Sequence, residues 1–313
     1  MIHADPYRSE ELARNVAIAL RFKKSQGTPA MPQVEKEVLA ANYDRARGGN
    51  FHLASNARDQ NWAHPGMYLR DAIPDRVDVM EQVIADGDRV GLLFRVTGTH
   101  TGSFFGIAPT GRRIDVYEIA WLRFSNGQMV EGWFMMDETA LLKQLGVKLP
   151  PRADGRIVAP PLPAAGEEID ALAGRLAAQP DELNNNRIIV ARSRAAHDGG
   201  GRAADHRSRR FGFLHLREYS IAKGFGELAL DAAIPDRHDR IEAMMAEGDT
   251  VWMRFNTGGT HSGSLAGIAP TGQRVGVPVA MIARFINGKW RESWTFADEL
   301  GFLLQLGQPN LLL

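Results

Sequence analysis

The sequence has no cysteine and no long apolar run, and these absences exclude several classes of protein. The 313 residues cannot form disulfides, thiolate metal sites or a cysteine nucleophile. No stretch approaches the roughly 18 consecutive apolar residues of a membrane-spanning helix. The opening residues, MIHADPYRSEELARN, show no basic region followed by an apolar one, so we expect no signal peptide and a cytoplasmic protein.

The chain also lacks an excess of either charge. Its formal net charge is zero, which argues against an overall basic surface for nucleic acid, and we expect neither a nucleic-acid nor a membrane partner. The basic run HRSRR at 206–210 is expected to be a solvated face, with an acidic ligand as the alternative. The histidines are scattered and there is no HExxH motif, so we expect no metal site.

A long internal repeat organises the chain. Residues 73–146 align without a gap on 234–307, with about half of the positions identical. A period of this length makes each copy a whole domain. Five prolines in residues 147–166 favour an extended linker between the copies. We therefore predict a first domain at 1–149, a linker at 150–166 and a second domain at 167–313.

Helices should come first in each domain. Apolar spacing predicts helices at 9–27, 33–46, 167–178 and 181–196. A proline near its start and Gly87 at its end favour a further helix over 73–87. Strands should then follow at 89–100, 112–124 and 128–136, with Asn126-Gly127 as a hairpin turn and a terminal helix after Asp137. This order predicts an α+β fold with an antiparallel meander.

The most unusual repeated stretch is a loop, THTGSFFGIAPTG at 99–111 and THSGSLAGIAPTG at 260–272. Its glycines suit a bend between two strands, and a strand follows them where a dinucleotide-binding motif needs a helix. His100 and His261 recur near its start. Either they only hydrogen-bond to hold the loop, or they assist chemistry.

Together with the following strand ending in RF, the segment NGQMVEGWFMMD and the run LLKQLG, this loop resembles the SnoaL-like polyketide cyclase (ester cyclase) family. The resemblance covers about 75 residues in each copy. It implies a nuclear transport factor 2-like, cystatin-like cone, in which a curved antiparallel sheet and N-terminal helices enclose a pocket. Members commonly dimerise through their sheets, so two copies would form an internal pseudo-dimer, with a further homodimer as an option.

The resemblance also implies a chemistry that needs no metal or organic cofactor. In the family a pocket aspartate removes a proton from a carbon flanked by carbonyls, and the positions that match here are Asp137 and Asp298. The apolar neighbours in WFMMD and WTFAD would make each carboxylate a better base. The alternative is that both aspartates simply cap the terminal helix.

The two copies differ in the strand after the loop. Glu118 gives the first copy a second carboxylate where the second copy has Val279. If its face of the strand looks into the cone, Glu118 joins the catalytic group, and otherwise it faces solvent or the partner domain. Candidate substrate-binding residues are Trp133, Phe104, Phe105, Trp62, Arg113, Trp294 and Arg274. Arg123 and Arg284 could each bind an anionic group or pair with Glu131 and Glu292, and we expect the pairing.

Two hypotheses about function follow. The first is an acid/base cyclase, isomerase or hydrolase on a small, largely apolar carbonyl, ester or lactone, active in one or both cones. The second is a non-catalytic protein that binds a hydrophobic molecule or scaffolds a protein partner. An epoxide-hydrolase-like activity is a weaker third option. Convergence of Asp137, His100 and Glu118 on one pocket would favour catalysis.

Overall fold

The computed structural model describes residues 9–47, 71–104, 106–149, 166–195 and 201–313. The chain divides into two compact units, Met1–Val158 with Leu313 and Ala159–Leu312, called here the first and the second unit. Of the predicted linker at 150–166, only Gly166 belongs to the described residues.

Both units have an α+β fold in which helices precede a five-stranded sheet and one helix closes the unit. In the first unit the elements are α1 (Glu10–Ser25), α2 (Met31–Val38), β1 (Leu39–Arg47), β2 (Val77–Asp86), β3 (Arg89–Thr99), β4 (Arg113–Ser125), β5 (Gln128–Met136) and α3 (Glu138–Leu145). In the second unit they are α4 (Ile169–Ala177), α5 (Glu182–Ala195), β6 (Arg202–Arg210), α6 (Leu214–Ala222), α7 (Leu230–Ala233), β7 (His238–Glu247), β8 (Thr250–Thr260), β9 (Arg274–Ile286), β10 (Lys289–Ala297) and α8 (Glu299–Gln305).

The two sheets have the same topology, with strand orders β1-β5-β4-β3-β2 and β6-β10-β9-β8-β7. Neighbouring strands are antiparallel except at one edge, where β1 pairs in parallel with β5 and β6 with β10. The predicted hairpin turn is present, since Asn126 and Gly127 both have positive φ, at 52° and 75°. Two tandem domains with an α+β fold are therefore confirmed.

The helix predicted over 73–87 is wrong, because this segment forms strand β2. A β-bulge between Met80 and Gln82 shifts the register against β3. The bulge breaks the two-residue alternation of apolar side chains, so Met80, Val83 and Ile84 recur at a spacing typical of a helix. The second unit has the same bulge in β7, between Ile241 and Ala243.

The helix predicted over 33–46 is wrong in its second half. Helix α2 ends at Val38, and the alanine- and arginine-containing stretch after it becomes the edge strand β1. The basic run at 206–210 occupies the corresponding edge strand β6. In both cases pairing with a neighbouring strand outweighs the helical preference of the local sequence.

The helices define one face of each sheet, called here the inner face. In the first unit, Lys23 at the end of α1 lies over the ring of Phe94 on β3. Glu118 and Met136 are cross-strand neighbours on this face, because Phe94 pairs with Glu118 and Glu118 pairs with Met136. None of the described helices is long and apolar enough to span a membrane.

The repeated loop is docked on the turn before the second strand of each sheet. In the second unit the backbone N–H groups of Ser262 and Gly263 both donate to the carbonyl of Ala233, at 3.0 Å each. Asp236 accepts hydrogen bonds from the backbone N–H and the hydroxyl of Thr260, at 2.6 and 2.8 Å. Asp75 and Thr99 make the same pair in the first unit. The loop sequence therefore recurs because the same hydrogen bonds dock it on the rest of each domain.

We predict that Gly263→Ala destabilises the second unit by about 1–3 kcal/mol, as overpacking does. A Cβ at this position would lie 2.2 Å from the carbonyl oxygen of Ala232, so the loop would have to move. Gly174→Ala in helix α4 is the control, because its Cβ meets nothing within 4 Å and should stabilise the helix by about 0.5–1 kcal/mol. Urea denaturation measures both, and equal unfolding midpoints would contradict the docking argument.

Candidate functional site

The two loop histidines hold the loop closed. His100 is fully buried, and its Nδ1 accepts a hydrogen bond from the backbone N–H of Thr110 at 3.3 Å and lies 3.0 Å from the Thr110 hydroxyl. His261 makes the same contacts with Thr271, at 3.2 and 3.1 Å. The backbone of each histidine also bonds to the far side of the loop. Nδ1 therefore acts as an acceptor that joins the two ends of the loop.

Burial lowers the pKa of both histidines below the ordinary value. The neutral ring suits the observed geometry, because a proton on Nδ1 would remove the acceptor for Thr110 or Thr271. Phe104, a candidate binding residue, is 1% exposed and packs edge-on against His100 with 6.2 Å between ring centroids. The role of His100 and His261 in catalysis stays a prediction, and what is observed is support of the loop.

The two repeated aspartates cap the closing helices. An oxygen of Asp137 accepts the backbone N–H of Ala140 at 2.9 Å, and Asp298 does the same with Gly301 at 2.9 Å. Both residues are the N-cap of their helix, α3 or α8. The alternative weighed for the sequence is thus present in both units. An acid/base role for Asp137 or Asp298 would have to be compatible with this bond.

A cluster of four charged side chains lies on the inner face of the first unit, and we call it the inner charge cluster. It consists of Lys23, Arg76, Asp78 and Glu118, whose side chains are all 6% exposed or less. Lys23 Nζ is 3.2 Å from Asp78 Oδ2 and 3.7 Å from Glu118 Oε2. Arg76 binds both oxygens of Asp78, at 2.8 and 3.0 Å.

The two carboxylates of the inner charge cluster, Asp78 and Glu118, differ in how tightly their neighbours hold them. Burial would raise the pKa of Asp78, but Lys23 and Arg76 outweigh it and hold the pKa below its ordinary value. Burial lowers the pKa of Lys23, against the opposing effect of Asp78 and Glu118. Asp78 is thus a structural anion held in a bidentate arginine contact. Glu118 is the carboxylate of the cluster that Arg76 does not chelate in this way.

The second unit keeps the cation, aspartate and phenylalanine of this cluster and lacks its glutamate, and Arg237, the counterpart of Arg76, pairs with Asp231 instead. Arg194 on α5 takes the place of Lys23: it binds Asp239, with Nη2 2.6 Å from Oδ2, and lies 4.7 Å from the centroid of Phe255. Asp239 and Phe255 are the counterparts of Asp78 and Phe94. Val279 stands where the first unit has Glu118, and it is buried. The comparison isolates Glu118 as the ionisable group that only the first copy carries.

One part of the inner face of the second unit is nearly filled. The space bounded by Phe213, Arg237, Thr257, Val277 and Phe302, with their neighbours, has a volume of about 10 Å³. A cavity of this size holds about one water molecule. Side chains of the core therefore occupy this part of the second unit.

Several residues predicted to bind the substrate do not lie on the inner face of their sheet. Trp133 pairs across the sheet with Trp121 and sits three residues from the inner-face Met136, so it lies on the opposite face. Trp294 pairs with Ile282 and occupies the matching position. Arg113 and Arg274 are exposed at the starts of β4 and β9. Phe105 and Trp62 lie outside the described residues.

For Arg123 and Arg284, the sequence favours ion pairs with glutamates. Arg123 Nε is 3.0 Å from Glu131 Oε2. Arg284 contacts Glu292 at 3.5 Å and also Asp249 at 3.3 Å. Both arginines therefore make the structural pairs expected from the sequence.

Lys23, Arg76 and Asp78 were missed as site residues. A signal was present, because IPDR and the aspartate two residues later recur in both copies as residues 73–78 and 234–239. Lys23 gave no such signal, because it aligns with no lysine in the second copy and lies in the first helix, where the two copies match poorly.

The sequence of both units matches one known protein family. The model of the SnoaL-like polyketide cyclases matches residues 59–145 and 227–306, which together are more than half of the chain. The chain belongs to the SnoaL-like polyketide cyclase family. A search of the curated proteins found no match. The two matched regions place one SnoaL-like domain in each unit.

Solved structures of SnoaL-like proteins each align with about half of the chain. A protein provisionally named a SnoaL-like polyketide cyclase, from Jannaschia Sp. CCS1, is 24% identical over 48% of this chain and 100% of its own, with a TM-score of 0.38. AclR from Streptomyces galilaeus, provisionally named a hydroxylase, is 26% identical over 44% of this chain and 99% of its own, with a TM-score of 0.36. IdmH from Streptomyces antibioticus, provisionally named a polyketide cyclase, is 22% identical over 42% of this chain and 99% of its own, with a TM-score of 0.37.

Among the described residues of these SnoaL-like units, no three histidine, aspartate or glutamate side chains come together as metal ligands would. The chemistry open to the inner charge cluster is proton transfer. It combines a buried carboxylate, Glu118, with a buried ammonium group, Lys23, whose charge can balance a negative charge on the carboxylate or on a substrate oxygen.

We predict that the stability of the wild-type protein falls as the pH drops from 7 to 5.5. The folded pKa of His100 and of His261 is lowered, so the unfolded chain binds more protons below its histidine pKa of about 6.5 and stability decreases with falling pH. In His100→Asn/His261→Asn, Asn supplies an acceptor oxygen near Nδ1 and does not titrate, so the fall should be shallower. Burial lowers the pKa of His206 too, but His206 contributes equally to both proteins. Thermal unfolding across this range measures the two slopes, and equal slopes would contradict the assignment.

A second prediction concerns the caps. Asp137→Ala should destabilise the first unit by about 1 kcal/mol, whereas Asp137→Asn should be nearly neutral, because asparagine is an equally good N-cap. Asp298→Ala and Asp298→Asn are the matched pair in the second unit. Urea denaturation measures all four variants. If asparagine were as costly as alanine at both positions, the aspartates would have a role that the cap does not explain.

Proposed function

We propose that this protein is a cofactor-independent acid/base enzyme of the SnoaL-like type and that its first unit is the catalytic one. The observation that carries the proposal is the buried Glu118, which lies 3.7 Å from Lys23 on the inner face and is replaced by Val279 in the second unit. A buried carboxylate is costly to keep, and such groups concentrate at functional sites.

The proposed substrate is a small, largely apolar carbonyl, ester or lactone compound with an acidic C–H bond. Glu118 would take the proton from carbon, and the resulting enolate oxygen would carry the negative charge. Lys23 lies close enough to Glu118 for its ammonium group to stabilise that oxygen by charge. The enolate carbon would then close a ring by attack on a second carbonyl of the substrate, or the enolate would be protonated at another carbon to complete an isomerisation. Hydrolysis would use the same carboxylate differently: Glu118 would take a proton from a water that attacks the ester or lactone carbonyl, and the alcohol would leave. Family membership supports a reaction of this class.

The other candidate residues take supporting roles in this proposal. Asp137 positions helix α3 and His100 holds the repeated loop, as their hydrogen bonds indicate. The second unit, with Val279 in place of the glutamate, would be structural or would bind a molecule without changing it. We further propose that the two units form the internal pseudo-dimer implied by the resemblance to the family.

The alternative is that neither unit is catalytic and that the protein binds a hydrophobic molecule or a protein partner. The use of both aspartates as helix caps favours it, since the cap occupies the carboxylate first expected to act as the base. The two proposals differ in whether a bound compound is changed.

We predict that Glu118→Gln lowers the rate of proton abstraction by at least about 10²-fold, the lower range of acid/base contributions. The assay follows deuterium incorporation from D₂O into a panel of β-dicarbonyl compounds, lactones and aromatic acids by NMR. Asp137→Asn, which keeps the helix cap, should retain activity. The opposite pattern, with Asp137→Asn inactive and Glu118→Gln active, would return the role of base to Asp137.

Because Glu118→Gln leaves Lys23 with a weaker partner, a second variant separates chemistry from folding. Lys23→Met/Glu118→Val removes one buried cation and one buried carboxylate together and leaves the bidentate Arg76–Asp78 pair in place. It should fold and be inactive. Thermal shifts with the same panel report binding without turnover. Compounds that stabilise the wild type and remain unchanged would support the binding alternative and overturn the enzymatic one.

A further inference from the structure

A second cavity lies in the second unit, at the edge where β6 meets the β9–β10 hairpin. Its volume is about 430 Å³, within the range of small-molecule sites. All of its lining residues belong to the second unit. The charged ones are Arg202, Asp205, Lys289 and Arg291.

The lining of this cavity has an excess of positive charge. Three cations stand against the single carboxylate of Asp205, which is paired with Arg291. Lys289 and Arg202 are exposed and lie at solvent level, whereas the floor of Phe285 and Trp290 is buried. Phe285 and Trp290 are 3% and 0% exposed, so the apolar surface that a ligand can touch is that of Ile189 and Ala203 beside the cationic rim. This combination suits a molecule with an apolar body and an anionic end.

The aromatic floor fixes part of this rim. The guanidinium of Arg202 lies 5.0 Å from the centroid of Trp290, a cation–π contact. Trp290 itself is fully buried, stacks on Phe285 at 6.5 Å and donates its indole N–H to the carbonyl of Glu292 at 2.9 Å. A guanidinium that already rests on a rigid ring loses little conformational freedom when a ligand binds.

The first copy provides an internal comparison. Pairing of β1 with β5 matches that of β6 with β10, so Arg202 corresponds to Leu39 and Trp290 to Met129. By the shift between the copies, Lys289 and Arg291 correspond to Gln128 and Val130. The first unit therefore lacks all three cations and the tryptophan. These features are not a requirement of the shared fold.

We propose that this cavity binds a small organic anion, a phosphate monoester or a carboxylate on a compact apolar group, at a site that the described residues of the first unit do not reproduce. The proposal does not depend on acid/base catalysis by Glu118. Oxygens of the anion would meet Lys289, Arg202 and Arg291, and the apolar group would cover Ile189 and the stacked Arg202.

Titrations with phenyl phosphate, benzoate and the uncharged benzyl alcohol test the proposal. The readout is the indole N–H signal of Trp290 in a ¹H–¹⁵N NMR spectrum of the full chain, assigned with Trp290→Phe. We expect a saturable shift with at least one anion, weaker at higher salt, and none with benzyl alcohol. The relative affinities of phenyl phosphate and benzoate identify which anion the site prefers.

Lys289→Gln/Arg291→Val installs the residues of the first copy and should weaken binding of that anion at least about tenfold, as expected for lost charged hydrogen bonds. Lys223→Gln removes an exposed cation elsewhere in the second unit and should leave the affinity unchanged. The proposal is overturned if neither anion saturates the wild type, if benzyl alcohol binds equally well, or if the double variant binds like the wild type.

Discussion

A cation held between an aspartate and a phenylalanine, buried in the first unit and partly exposed in the second, joins the helices to the sheet in both units. In the first unit the cation is Lys23, in the second it is Arg194, and the partners are Asp78 with Phe94 and Asp239 with Phe255. Removing one member of a buried ion pair typically costs about 3–5 kcal/mol, because the other charge stays behind without compensation. The position of α1 or α5 over the inner face, and therefore the shape of any site there, depends on this contact.

The duplication lets the two units be compared as natural variants of one fold. What they share is structural: the loop held by its histidine, the aspartate–threonine pair, and the capped closing helix. What they do not share is chemical: Glu118 on the inner face of the first unit, and the basic rim with its tryptophan on the edge of the second. The two domains, about half identical over their aligned region, thus differ in the charged groups on these surfaces while they share the contacts that hold the loop and the closing helix.

Much of the fold could be predicted from the sequence, but less of the candidate site. The repeat, the turn at Asn126 and the cap at Asp137 are local patterns, and each is present in the structure. Strand β2 could not be recognised, because its bulge imitates a helical spacing, and β1 is a strand only through its pairing with β5. Lys23, Asp78 and Glu118 are far apart in the sequence and meet only when α1 packs on the sheet, so no local pattern announces the inner charge cluster.

The contrast between Glu118 and Val279 also bears on how a duplicated chain avoids domain swapping. Two copies this similar could exchange equivalent strands during folding, a known hazard of repeated domains. If β9 took the place of β4, Val279 would lie beside Lys23 and remove one of the two carboxylates that the buried ammonium contacts. In the first unit this exchange therefore costs a buried charge contact. Divergence of the inner faces, whatever its catalytic benefit, favours β4 in the sheet that lies beneath Lys23.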